Sequence, residues 1–165
     1  MHQKSYVLPA FVALISSWLA WTSLVDFFVI RTVFGIVDNF FQAGELGIAV
    51  FAKLNHLEII TSSALMAVLG YQLRKNKNAL PLFVMALVVW PIPIFYFSYL
   101  TPKIMELTAL WKQADLMGIT AVAGIPDIQQ EHQFYHNLYI GIDAVKLLLL
   151  TAMLGLGIWK QEKWV

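Results

Sequence analysis

The chain has 165 residues, the length of one domain, and 59% of them are hydrophobic while only 13% are charged. Soluble domains average roughly 45–50% apolar and about 25% charged residues, so the composition excludes that class and predicts an integral membrane protein embedded in a lipid bilayer. The net charge of +1, with no basic stretch interleaved with aromatic residues, excludes nucleic acid as a partner. The lack of cysteine excludes disulfides, thiolate metal sites and cysteine nucleophiles.

The first two predicted helices are 5–37 and 44–73. The first contains the uncharged run 5–25, which meets the requirement of about 18 or more apolar residues for crossing a bilayer. The second is uncharged only over 59–73, but nothing except isolated glycines would break a helix in its other half. Residues 38–43 have a turn-forming composition and predict the connection between the two helices.

The third and fourth predicted helices are 79–112 and 132–159. The third contains the uncharged run 78–102, and the fourth is uncharged over 147–159. A loop at 118–130, which contains a glycine and a proline, is predicted to join them. The sequence therefore predicts an all-α protein, an antiparallel four-helix bundle that forms one membrane domain over residues 1–165.

Basic residues near the ends of spans stay preferentially in the cytoplasm, and a four-span topology places six cations on one face. Both termini are therefore predicted to be cytoplasmic, in a plasma (inner) membrane. Helices 5–37 and 79–112 exceed the about 20 residues that cross the hydrocarbon core. Because their surplus residues are charged at the outer ends, the long helices are predicted to project on the extracytoplasmic side, with a kink at Pro91 and Pro93. The six cations are Lys4, Arg74, Lys75, Lys77, Lys160 and Lys163.

Depth counted from the cytoplasmic end of each helix sorts the charged residues into two layers. The deeper layer holds His56, Glu58, Asp143 and Lys146, about 20–25 Å above the inner boundary. An unpaired charge there costs from about 2.5 to more than 10 kcal/mol, so we expect the pairs Glu58–Lys146 and His56–Asp143. The shallower layer contains Asp26, Arg31, Glu45, Lys53, Lys103, Glu106, His132 and His136. The mid-span tryptophans, which are expected to face lipid, are Trp18, Trp21 and Trp90.

Ionisable residues within membrane spans predict a protein that binds or moves a small polar ligand or ion, here in a polar cavity of the outer half of the bundle. Arg31 is predicted to anchor an anion, Glu58 and Asp143 to hold protons or cations, and two histidines to act as titratable gates. The same groups are also compatible with a network that only fixes helix register, as in a homo-oligomer or an accessory subunit of a larger membrane complex. The predicted ligand-binding residues are Arg31, His56, Glu58, His136, Asp143 and Lys146.

A second chemistry is indicated by His132 and His136, whose spacing lets imidazoles on adjacent helical turns bind one metal ion. Glu45 and Glu106 lie at heights that would complete a site for one transition metal ion such as zinc, iron, manganese or copper. The corresponding alternative function is a metal-dependent membrane oxidoreductase or hydrolase. The paired Glu-x-x-His motifs of di-iron bundles are missing, and two histidines solvated at a helix start are the simpler explanation.

Five short motifs lie at the helix ends: Phe28-Val29-Ile30-Arg31, Phe34-Gly35-x-Val37, Phe40-Phe41, Leu100-Thr101-Pro102-Lys103 and Phe134-Tyr135-His136. With these motifs the chain resembles the transmembrane-protein-205-like family of small four-span membrane proteins. The resemblance implies a four-helix membrane fold in which Arg31, Pro102 and His136 are matching positions, and it implies no established reaction or ligand. Thr101 stands where an acidic residue is usual in that family.

Overall fold

The computed structural model of the chain describes residues 6–117 and 125–159, and all regular secondary structure within these ranges is helical. The predicted all-α fold class is confirmed. The described residues form four long helices, which are α1 Val7–Ile36, α2 Phe40–Lys75, α3 Lys77–Leu116 and α4 Ile125–Trp159.

Two helices begin four or more residues earlier than the sequence predicted. α2 begins at Phe40 because the Asn39 side chain accepts a hydrogen bond from the backbone N–H of Gln42 at 3.0 Å, which satisfies a donor that the first turn leaves free. α4 begins at Ile125 and includes Pro126 in its first turn, where a missing N–H has no cost. The predicted features that lie outside the described residues are the helix start at 5, the loop residues 118–124, Lys4, Lys160 and Lys163.

Three helical segments among the described residues are long and apolar enough to cross a membrane, namely Val7–Ile36, Lys77–Leu116 and Asp127–Trp159. The chain is therefore a membrane protein by the length and composition of its helices. α2 does not meet the same criterion, and its first half carries charged residues such as Glu45 and Lys53.

α1 and α3 each contain a five-residue stretch of π-helix, at Val25–Val29 and Tyr96–Leu100. α3 is also interrupted at Trp90, directly before the first of the two prolines that predicted a kink, because proline has no N–H to donate to the preceding turn. π-Helical turns are rare and are frequently found at functional sites. The two π-helical stretches therefore indicate one segment of α1 and one segment of α3 as candidate parts of a functional site.

The four helices pack in a closed sequence of contacts, in which α1 and α3 each contact both α2 and α4. A large apolar core lies towards the N-terminus of α1, and a smaller core of Tyr96, Leu100, Ile104 and Tyr139 lies between α3 and α4. Many large apolar side chains on the outer surfaces are exposed, Phe28 and Leu148 among them, as expected for helices surrounded by lipid. The large core comprises Phe11, Ile15, Trp18, Leu65, Leu69, Leu82, Ala86, Val89, Leu150 and Met153.

The contact between α1 and α4 gives a stability test at Gly157. A methyl group added there would overlap the ring of Phe11, at 2.9 Å from Cζ and closer to Cε1, and the ring is fully buried. We expect Gly157→Ala to destabilise the protein by about 1–3 kcal/mol through overpacking and to lower the thermal midpoint, measured by circular dichroism in detergent, by several degrees.

Gly155→Ala is the matched control for this substitution. A methyl group at Gly155 meets nothing within 4 Å, and alanine is about 1 kcal/mol more favourable than glycine in a helix. Its thermal midpoint should therefore equal or exceed that of the wild type. Equal midpoints for the two variants would show that α1 and α4 do not approach closely at this position.

Candidate functional site

A fully buried ion pair lies between α2 and α4. The Nζ atom of Lys146 is 2.6 Å from Oε1 of Glu58, and neither side chain has exposed surface. The same Nζ atom is 2.5 Å from Oδ1 of Asp143, which lies one turn earlier on α4. The predicted Glu58–Lys146 pair is thereby confirmed.

The two oxygens of the Glu58 carboxylate differ sharply in their surroundings. Oε1 accepts three hydrogen bonds: from Trp18 Nε1 at 2.9 Å, from Thr22 Oγ1 at 2.9 Å and from Lys146 Nζ at 2.6 Å. Oε2 is buried and has no hydrogen-bond partner among the described residues. An unpaired buried acceptor retains its full cost of desolvation, so Oε2 would be stabilised by any donor or cation that reached it.

A third carboxyl group joins this pair from α1. Asp26 lies in the π-helical stretch of α1, and its carboxyl group interacts electrostatically with Asp143, Lys146 and Glu58. Asp26, Glu58, Asp143 and Lys146 are called the ionic cluster from here on. The sequence placed Asp26 in the shallower layer, which differs from the deeper layer by only a few residues at about 1.5 Å each, and a side chain spans that difference.

The ionic cluster holds more negative than positive groups. Lys146 is the one cation among residues 6–117 and 125–159 that pairs with its carboxyl groups, against three carboxyl groups on α1, α2 and α4. If all of them were ionised, the net charge would be −2, in an environment where a charge without compensation is costly. A bound proton or a further positive charge would lower that net charge.

A buried polar network continues from the ionic cluster into the interface of α3 and α4. The ring of Tyr96 lies 5.3 Å from Lys146 Nζ, within the range of a cation–π interaction, and stacks on Tyr139 at 4.2 Å. The hydroxyl of Tyr139 donates to Asn55 Oδ1 at 3.3 Å, and Asn55 Nδ2 donates to Thr101 Oγ1 at 2.9 Å. All four long helices therefore contribute polar side chains at or beside the cluster.

His56 does not pair with Asp143 as the sequence predicted. Its side chain is exposed, its Nδ1 atom is 2.6 Å from the carbonyl oxygen of Ala52, and its ring contacts Phe97. The physical reason is helix geometry, because positions two residues apart along a helix differ by about 200° around its axis. With Glu58 turned inward, His56 points outward at nearly the same depth.

Two other predicted ligand-binding residues also lie on the surface. Arg31 and His136 are exposed, and neither contributes to the ionic cluster. Of the six predicted ligand-binding residues, the structure brings together Glu58, Asp143 and Lys146.

The four predicted metal ligands are not brought together. Glu45 pairs with Lys112 at 2.5 Å, and Glu106 lies 3.5 Å from Lys103. His132 and His136 stack with ring centroids 6.2 Å apart, and no three His, Cys, Asp or Glu side chains gather in the described part of the chain in a way that could hold a metal ion. The two glutamates already have lysine partners, which explains why they do not converge on the histidines.

The sequence interpretation missed three further contributors, Trp18, Thr22 and Tyr96. Trp18 was expected to face lipid but is fully buried, whereas Trp90 is partly exposed and lies 3.4 Å from Ser63. A signal was present, because polar groups recur at positions 18, 22 and 26, every fourth residue on one face of α1. Tyr96 carries no comparable pattern.

No protein-family model, curated protein or solved structure matches the chain. The resemblance to the transmembrane-protein-205-like family therefore stays a prediction, and function has to be argued from the chemistry of the ionic cluster.

Lys146→Met tests how strongly the buried charges depend on one another. Removing one partner of a buried ion pair costs about 3–5 kcal/mol because the other charge is left without compensation, and here three carboxyl groups would lose their cation. We expect a large fall in the thermal midpoint, or loss of folded protein, measured by circular dichroism in detergent.

The same substitution at Lys103 is the control. Lys103 also has two carboxylate partners, Glu106 and Glu131, at 3.5 and 3.4 Å, but in a partly exposed position, where ion pairs contribute little. Its thermal midpoint should remain near that of the wild type. A similar loss in both variants would show that burial does not distinguish the two lysines.

Proposed function

We propose that this chain is a four-span membrane protein that binds a small cation at the ionic cluster and moves it across the bilayer. The single observation that carries the proposal is the excess of carboxyl groups around Lys146 in the buried interior. A charge without compensation costs at least about 2.5 kcal/mol within the hydrocarbon region. A bound proton would reduce that cost.

The unpartnered oxygen of Glu58 supports the same proposal. Oε2 is buried beside a carboxylate oxygen that already accepts three hydrogen bonds, so additional positive charge would find a free acceptor there. Glu58 and Asp143 therefore serve as the cation-binding groups, and Lys146 is the fixed internal countercharge. Arg31 and the exposed histidines have no part in this proposal.

The proposal includes an orientation. Arg74, Lys75 and Lys77 lie together where α2 meets α3, and the positive-inside rule assigns that connection to the cytoplasm. The connection between α1 and α2 carries Asp38 and lies on the opposite side. With four antiparallel spans in one bundle, both termini are cytoplasmic, the membrane is the plasma (inner) membrane, and the outer helix ends project from it.

Single-cysteine labelling tests this topology, since the chain has no native cysteine. Asp38→Cys should react in intact cells with a maleimide that cannot cross the membrane. Asn78→Cys, at the start of α3, should react only after permeabilisation. Labelling of both cysteines from the same side would show that α2 does not cross the membrane. Among the four long helices described, α2 is the one that does not meet the length and composition criterion for a span.

Ion flux tests the function itself. Purified protein would be reconstituted into vesicles of phosphatidylcholine and phosphatidylglycerol under an imposed H⁺, Na⁺ or K⁺ gradient. We expect at least one gradient to decay faster than in empty vesicles. Glu58→Gln should reduce that flux about tenfold or more, since a charge-assisted contact of about 1.5–3 kcal/mol corresponds to such a factor.

Glu131→Gln is the control, because Glu131 is an exposed carboxylate paired with Lys103 at 3.4 Å and should have no effect on flux. Gradients that decay no faster than in empty vesicles would overturn the proposal. A flux that a correctly folded Glu58→Gln variant leaves unchanged would assign the ionic cluster a purely structural role.

A further inference from the structure

We propose that an anionic phospholipid binds the exposed surface between α2 and α3, with its phosphate group on Lys53 and His56 and an acyl chain over the apolar residues beside them. This surface lies on the side of α2 that faces away from the buried Glu58. The inference concerns contact with the membrane itself and does not depend on cation transport.

The exposed face of α2 is defined by a regular spacing. Its members follow one another at intervals of three and four residues, which places them on one side of a helix with about 3.6 residues per turn. Lys53 and His56 are its two ionisable residues, and they lie within one turn of each other. The face comprises Leu46, Ala49, Lys53, His56, Ile60, Ser63 and Ala67.

Two contacts with α3 place this face beside a groove. The Oγ atom of Ser63 lies 3.4 Å from Nε1 of Trp90. Two turns nearer to the start of α2, the ring of His56 contacts the ring of Phe97, with centroids 4.6 Å apart. Because Ile60, Trp90 and Phe97 are exposed, an acyl chain lying along this groove packs on apolar surface.

Lys53 lies at the level of the lipid head groups. Twenty-two residues separate it from Lys75 at the end of α2, and at 1.5 Å per residue they span about 33 Å, slightly more than the ~30 Å of the hydrocarbon core. Tyr99 lies equally far from Lys77 at the start of α3, and its hydroxyl is 3.2 Å from that of Tyr135 on α4. Tyrosines are enriched at membrane–water interfaces, so both helices mark the same boundary.

Both polar side chains have groups left for a ligand. Lys53 is exposed and takes part in none of the ion pairs within residues 6–117 and 125–159. Nδ1 of His56 donates to the carbonyl oxygen of Ala52 at 2.6 Å, because that oxygen only accepts, so Nε2 is the nitrogen that remains and it donates when the ring is protonated. An ammonium group without a partner is costly beside lipid, and a phosphate group supplies the missing negative charge.

Charge complementarity selects a lipid over a second copy of the chain. Two copies inserted in the same orientation have Lys53 at the same depth, so a contact through this face brings two ammonium groups together. An anionic phospholipid instead places opposite charge at Lys53 and a flexible acyl chain against the apolar remainder of the face.

Native mass spectrometry of the purified protein, in detergent with equal amounts of phosphatidylglycerol and phosphatidylcholine, tests this inference. We expect the wild type to retain phosphatidylglycerol preferentially. Lys53→Gln should lower the ratio of bound phosphatidylglycerol to bound phosphatidylcholine about fivefold, the factor expected for one lysine at a membrane surface. His56→Phe, which keeps a ring against Phe97, should also lower the ratio, whereas Lys53→Arg should retain it.

Lys112→Gln is the matched control, because it removes the same charge at a position already paired with Glu45, and its ratio should equal that of the wild type. A wild type without lipid preference, an unchanged ratio in folded Lys53→Gln or His56→Phe, or an equal fall in Lys112→Gln would overturn the inference. Displacement of the lipid by millimolar inorganic phosphate would assign the site to a free phosphate ion instead. A dimer that Lys53→Gln dissociates would assign the face to a second copy of the chain.

Discussion

The buried ammonium group of Lys146, held between two carboxylates, constrains the whole arrangement of helices. Because a buried charge is stable only with its partners in place, α2 and α4 cannot rotate or slide without separating Glu58 from Lys146. Trp18 and Thr22 bind α1 to the same Glu58 oxygen. Side chains of three helices are therefore connected through Oε1 of Glu58. α3 contributes the ring of Tyr96, which lies beside the ammonium group.

Two other ion pairs connect the long helices in less buried positions. Glu45–Lys112 connects α2 to α3, and Lys103–Glu131 connects α3 to α4, in positions that are partly exposed. Such pairs contribute at most about 1 kcal/mol each. They guide the outer helix ends, whereas specificity of packing depends on the buried cluster and on close contacts such as that of Gly157 with Phe11.

Counting residues along each helix predicted that Glu58 and Lys146 lie at the same depth. It did not predict the direction in which each side chain points around its helix axis. Glu58 and Lys146 were paired correctly because their counts along α2 and α4 agree. His56 was misplaced because depth ignores the angle around the helix axis. The π-helical stretches were not predicted, because apolar periodicity indicates a helix without distinguishing a single π turn within it.

Charge balance separates a site for a ligand from a network that only fixes helix register. A structural network is most stable when each buried charge has a partner, because every excess charge costs free energy within lipid. The ionic cluster departs from that condition twice, through the third carboxyl group supplied by Asp26 and through the unpartnered oxygen of Glu58. Both departures would be corrected by added positive charge, and neither would be improved by tighter packing, so their occurrence at one place favours cation binding over a purely structural role.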